Sequence, residues 1–262
     1  MTSPLLVRGD RGRVGITPER AGWRYVSFSA VRVASGATYV VSAVESEVCL
    51  VILGGRCSAR IGVERWPEVG ERATPFEGAP HAIYAPPGSH IELRAIDGEL
   101  DLAIGAAPAT KGARVRHLKP SDVRREMRGT GNMERTIHHI LMEDAEAESL
   151  LVTEVVTPAG HWSSYPPHKH DTDDPPNETQ LEETYYHRLR DGRGFAVQRV
   201  YTPDRAIDET VTVADGDLVL VPRGYHTVSA APGYELYYLN VMAGPVRRWC
   251  VTFDPEHQWL RR

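Results

Sequence analysis

The chain has 262 residues, of which 41% are hydrophobic and 25% charged, with a formal net charge of −5. At roughly 150 residues per domain, this length fits one large or two small domains with proper cores. The composition excludes a disordered or fibrous protein. The 35 acidic and 30 basic residues show no basic clustering of the kind a phosphate backbone requires. The longest aliphatic run, Val48–Leu53, is too short to cross a bilayer. Nucleic acid and membrane are therefore not expected partners. Leu5-Leu6-Val7 is cut off by Arg8, Asp10, Arg11 and Arg13, which leaves no signal-peptide core. Cys49, Cys57 and Cys250 are scattered, forming neither a disulfide framework nor a CxxC site. They read as reduced thiols of a cytoplasmic protein.

The predicted elements are short β-rich runs set between glycine and proline turns. In chain order they are Thr38–Val44, Val48–Leu53, Ala82–Ala85, Leu151–Thr157, Phe195–Tyr201, Thr210–Val213, Leu218–Val221 and Glu235–Met242. Such spacing predicts an all-β sandwich or barrel. Helix is expected only at Pro120–Met127, capped by Ser121, and as a turn at Ala145–Leu150. An internal repeat is also visible. Val221-Pro222-Arg223-Gly224-Tyr225-His226 follows Ala85-Pro86-Pro87-Gly88-Ser89-His90 at an offset of 136 residues, and Glu183 follows Glu47 at the same offset. Together with their flanking strands, these matches predict a duplicated β-domain. The expected division is an N-terminal barrel over 1–110, a connecting segment over 111–135 and a C-terminal barrel over 136–262.

Four of the 11 histidines fall between residues 161 and 187. In His168-Lys169-His170, residues i and i+2 of a strand share one face, so both imidazoles can reach one point while Lys169 points away. Neutral imidazole is the commonest nitrogen ligand of divalent metals. The pair is followed by Glu182-Glu183-Thr184-Tyr185-Tyr186, and later by the glycine-proline turn that ends in His226.

HxH, then Glu before a strand, then Pro-x-Gly-x-His resembles the two motifs of the cupin superfamily. More closely, Trp162–Asp171, Gln198-Arg199-Val200-Tyr201-Thr202, Val221–His226 and Tyr234–Gly244 resemble the 5-deoxyglucuronate isomerase family of myo-inositol catabolism, itself related to a ketol-isomerase of pectin catabolism. The resemblance implies two tandem cupin (jelly-roll) barrels, the N-terminal one degenerate, and one divalent metal ion held by His168, His170, Glu183 and His226. The shared offset with Glu47 favours Glu183 over Glu182 as the carboxylate ligand. Zinc or manganese is the first expectation, with iron, cobalt or nickel as alternatives.

The implied reaction interconverts an aldehyde and a ketone on adjacent carbons, with the metal stabilising the developing enediolate. Candidate bases are Glu182, His187, Tyr185 and Tyr201, or Glu183 itself; a hydride shift would need none. The substrate would be a small uronate-type sugar acid. Its carboxylate points to an arginine, with Arg199 first and Arg223 next. Of Tyr237 and Tyr238, which occupy opposite faces of one strand, one would line the pocket and the other would be core or interface. A metal-dependent oxygenase or decarboxylase and a non-catalytic sugar-binding cupin are the rival readings. A homo-oligomer is possible. Asp171–Gln180 reads as a solvated loop or lid, and Gly129-Thr130-Gly131-Asn132 as a turn, since no P-loop lysine accompanies it.

Overall fold

The computed structural model describes residues 3–261. The N-terminal barrel is built around two long strands, Ser46–Ile61 and Ser89–Pro108, which pair antiparallel over most of their length. Thr38–Ala43 and Ser27–Val33 add to Ser89–Pro108, while Glu64–Val69 and Ala82–Ala85 add to Ser46–Ile61. The run Val48–Leu53 is uniformly apolar because both of its faces are covered. Val48, Leu50 and Ile52 point into the barrel, and Cys49, Val51 and Leu53 point into a second core shared with the other barrel. Where both faces are buried, alternation disappears from the sequence.

The C-terminal barrel is a sandwich of two antiparallel sheets. In its larger sheet Glu182–Leu189 lies between Leu218–Val221 and the central strand Leu236–Ala243, and the sheet continues through Leu151–Thr157 and Arg135–Leu141 to Arg124–Arg128. The facing sheet is ordered Asp208–Val213, Ala196–Tyr201, Tyr225–Ala230, Trp162–Lys169 and Thr252–Phe253. The molecule is thus all-β, with two tandem jelly-roll barrels.

The barrels exchange segments at their junction. Leu6–Val7 pairs with Leu218–Val221 of the C-terminal sheet, although it precedes the N-terminal barrel. Within the segment read as a connector, Arg116–Leu118 joins the N-terminal barrel and Arg124–Arg128 the C-terminal one. The shared core holds Phe28, Tyr84, Tyr186 and Tyr237. It is closely packed: a Cβ at Gly105 would stand 2.7 Å from a methyl of Val241. Arg72 and Glu154, both buried, form a two-pronged ion pair at 2.8 and 2.9 Å across this junction. Glu154 also accepts from Tyr237 Oη at 2.8 Å and lies 2.8 Å from His138 Nδ1.

Neither expected helical segment forms as read. Pro120–Asp122 makes only a 3-10 turn, with the Asp122 carboxylate accepting from Lys119 N, and the chain then extends into Arg124–Arg128. Around Ala145–Leu150 the backbone N–H groups of Glu148, Ser149 and Leu150 all donate to Glu47, so they cannot serve a helix.

Candidate metal centre

His168 stands directly opposite His226 in the register of Trp162–Lys169 and Tyr225–Ala230. Opposed residues of antiparallel strands bring their side chains together, and the two rings lie 4.5 Å apart. His170 follows on the same face, 5.9 Å from His168 and 5.1 Å from His226. Glu183 arrives from the facing sheet, its Oε2 lying 2.9 Å from His170 Nε2 and 3.1 Å from His226 Nε2. One nitrogen from each histidine lies within 4.8 Å of those of the other two. All four residues are buried.

The outer nitrogens of His170 and His226 are already committed. Nδ1 of His170 donates to Leu181 O and Nδ1 of His226 to Gly224 O, each at 3.1 Å. Because a carbonyl only accepts, Nδ1 carries a proton in both rings and Nε2 is the nitrogen that faces the centre. In His170 that nitrogen donates to the Glu183 carboxylate, which raises the pKa of the ring against its burial, and a metal would take the place of that proton. His226 Nε2 is buried and lies close to Glu183 Oε2, yet out of line for a hydrogen bond, so it has no partner among the described residues. Three imidazoles, two of them oriented by outer hydrogen bonds, and a carboxylate are the donor set of a divalent transition-metal ion. Burial, followed by the neighbouring His226 and His170, holds the His168 imidazole far below its ordinary pKa and therefore neutral, the form that binds metal. Burial pushes the Glu183 carboxyl up, but its contacts with His170 and His226 outweigh that and bring it to about 2.

The cluster opens on a cavity of ≈ 330 Å³. Tyr185, Tyr238, Ser164, Asn240, Arg135 and Trp249 contribute to its wall, alongside His168 and Glu183. Tyr185 Oη lies 2.9 Å from Ser164 Oγ, and Tyr238 Oη is hydrogen-bonded to Ser163 Oγ.

Of the residues singled out in the sequence, His168, His170, Glu183 and His226 come together, and Tyr185 and Tyr238 line the cavity. Tyr237, next to Tyr238, turns to the inter-barrel core and Glu154. The remaining candidates lie elsewhere. Glu182 accepts the backbone N–H groups of Arg24, Tyr25 and Val26 at 2.7–3.0 Å, a structural clamp at the junction. His187 is buried behind Tyr185, its Nε2 2.8 Å from Gln198 Oε1. Tyr201 donates to Asp254 beneath the guanidinium groups of Arg199 and Arg205. Arg199 is tied to Asp208 at 2.8 Å, and Arg223 is exposed. Lys169 points away from its flanking histidines, as expected, onto Asp171 and Glu178.

The offset argument for Glu183 also needs correction. In strand register Glu47 lies opposite Ala107 and Glu182 opposite Ala243, so the counterpart of Glu47 is Glu182. Val48 occupies the place of Glu183. His90 is exposed, and aliphatic side chains such as Leu50, Ile83, Ile91 and Leu102 fill the N-terminal barrel. Sequence reasoning missed Arg135. Arg135, Ile137 and His139 reach the cavity as alternate residues of one strand.

Two tandem jelly-roll barrels, one of which holds a histidine-rich cluster able to bind a metal ion, define the chain as a bicupin. It belongs to the KduI/IolB family, which it matches over residues 4–260, and it is an enzyme of the isomerase class. It is 52% identical over 248 residues to the 5-deoxy-glucuronate isomerase of Geobacillus thermodenitrificans, covering 94% of this chain and 90% of that one. To the enzyme of the same name from Bacillus subtilis it is 42% identical over 247 residues, covering 94% and 91%. The crystal structure of an IolB-like protein from Salmonella typhimurium LT2 matches with a TM-score of 0.96 at 41% identity, covering 98% of this chain and 99% of that one. A Bacillus subtilis oxalate decarboxylase shares the fold at a TM-score of 0.64 and 13% identity, covering 91% and 74%. No helix among the described residues is long and apolar enough to cross a membrane.

Proposed function

We propose that this chain interconverts 5-deoxy-D-glucuronate and 2-deoxy-5-keto-D-gluconate, an aldose–ketose isomerisation of inositol catabolism. The observation that carries this reading is the convergence of His168, His170, Glu183 and His226 on a cavity walled by phenols and arginines, in a chain whose relatives carry that enzyme name. A divalent ion held by these four residues would act as a Lewis acid on the carbonyl and neighbouring hydroxyl oxygens. Zinc or manganese suits the imidazole-carboxylate set, and availability decides between them.

The chain's own groups supply the rest. Burial raises the pKa of both Tyr185 and Tyr238, keeping their phenols protonated as hydrogen-bond donors to an oxygen that gains charge. Glu183 engages the histidines through Oε2. Its Oε1 has no hydrogen-bond partner among the described residues, and we assign that oxygen to carrying the proton between carbons. Glu182, His187 and Tyr201 are too committed elsewhere to serve. Trp249 and Met242 give the wall apolar surface that limits water at the reacting end.

The test is NMR of 5-deoxy-glucuronate incubated with the metal-loaded protein in deuterated water. The expected result is 2-deoxy-5-keto-gluconate carrying solvent deuterium at the carbon that received the proton. Product without deuterium would replace the proton transfer with a hydride shift. No product, or oxygen consumption in its place, would end the isomerase reading.

A further inference from the structure

The segment Arg128-Gly129-Thr130-Gly131-Asn132 forms the tight loop between Arg124–Arg128 and Arg135–Leu141. Its backbone turns through Met133 N to Thr130 O at 3.1 Å and Glu134 N to Gly131 O at 3.2 Å. Gly129 has φ +88°, and a Cβ there would stand 2.1 Å from Met133 O and 2.9 Å from Arg135 Nη1. The glycine thus lets the Met133 carbonyl fold back onto the Arg135 side chain, which donates to it at 2.9 Å.

Arg135 is 7% exposed. Nη1 makes both of its hydrogen bonds, the second to Tyr165 O at 3.4 Å. Nε and Nη2, one edge of the guanidinium, have no partner among the described residues. The other arginines of the cavity wall are neutralised: Arg128 holds Glu126 at 2.7 and 2.9 Å, and Arg124 holds Asp144 at 3.0 Å. Arg135 has no carboxylate within ion-pair distance among the described residues. It lines both the cavity at the histidine cluster and an adjoining one of ≈ 330 Å³, with His168 between them. A buried cation with two parallel N–H groups unspent is costly by itself and matches a carboxylate fork.

We propose that the Nε–Nη2 edge of Arg135 binds the carboxylate of the sugar acid, directs its other end toward His168, and selects uronates over neutral aldoses. The identity of the substrate rests on the isomerase reading; the anchoring rests on the free guanidinium edge and on the loop that orients it.

The experiment compares the metal-loaded wild type, Arg135→Met and Arg135→Lys on 5-deoxy-D-glucuronate and on neutral 5-deoxy-D-glucose, with equilibrium binding of D-glucuronate and D-glucose measured alongside. Arg135→Met is expected to raise KM for the acid and weaken glucuronate binding on the order of 10²-fold, with glucose binding and kcat/KM for the neutral sugar unchanged. Arg135→Lys, which keeps the charge and loses the fork, should recover part of the loss. Equal losses on acid and neutral sugar, or no loss on the acid, would overturn the assignment. So would a wild type that binds glucuronate no better than glucose. A wild type that binds glucuronate through Arg135 but converts nothing would refute the isomerase reading and leave the anchor standing.

Discussion

Glu47 and Glu182 make the same contact from opposite barrels. Glu47 accepts the consecutive backbone N–H groups of Glu148, Ser149 and Leu150, which lead into Leu151–Thr157. Glu182 accepts those of Arg24, Tyr25 and Val26, which lead into Ser27–Val33. Each barrel therefore clamps the backbone of the other just ahead of one of its strands, and the duplication survives as a two-way lock.

From this follows a contrast between adjacent residues. Glu182→Ala leaves three N–H groups short of an acceptor and should cost about 1–3 kcal/mol of stability, with metal content and kcat retained in the folded protein. Glu183→Ala should abolish metal retention and turnover with little change in the junction. Denaturant melts and elemental analysis of the two variants check this.

The Arg72–Glu154 pair holds the barrels together where no water reaches. Removing one partner of a buried ion pair strands the other, so Arg72→Met should destabilise by about 3–5 kcal/mol. Replacing both, as Arg72→Met with Glu154→Gln, should cost less than the sum of the single changes. A double-mutant cycle in urea measures the coupling.

His187 sets an acid limit on the fold. Burial lowers its pKa from 6.5 to about 4. Below pH 6.5 the unfolded chain takes up a proton that the folded one refuses, so this contribution is fully present above 6.5 and is lost as pH falls toward 4. The loss should be about 3 kcal/mol. Stability of His187→Phe, measured by denaturation across that range, should fall less steeply than that of the wild type, and the gap between the two proteins should narrow in acid.

Much of this was legible in the sequence. Short strands between glycine and proline turns state an all-β fold, and His168-Lys169-His170 states a shared face because the strand period is two. Parity alone puts Tyr237 and Tyr238 on opposite faces, though it does not say which of them faces the cavity; the structure turns Tyr238 to the cavity and Tyr237 to the core. Glu183 meets the histidines although the offset argument that favoured it rested on a wrong alignment, since counting offsets ignores strand register. Arg199 and Arg223 attracted attention because they sit within motif strings, yet the first is spent on Asp208 and the second is exposed. Arg135 gave no signal in the sequence, because what sets it apart is a guanidinium edge without a partner among the described residues, which only packing reveals.

The most direct measurement is isomerisation rate as a divalent metal is titrated back into chelator-treated protein. The rate should start near zero, rise linearly and break at about one equivalent per chain, with no recovery in His226→Ala. Full turnover of 5-deoxy-glucuronate by the metal-free protein would contradict a metal centre at His168, His170, Glu183 and His226.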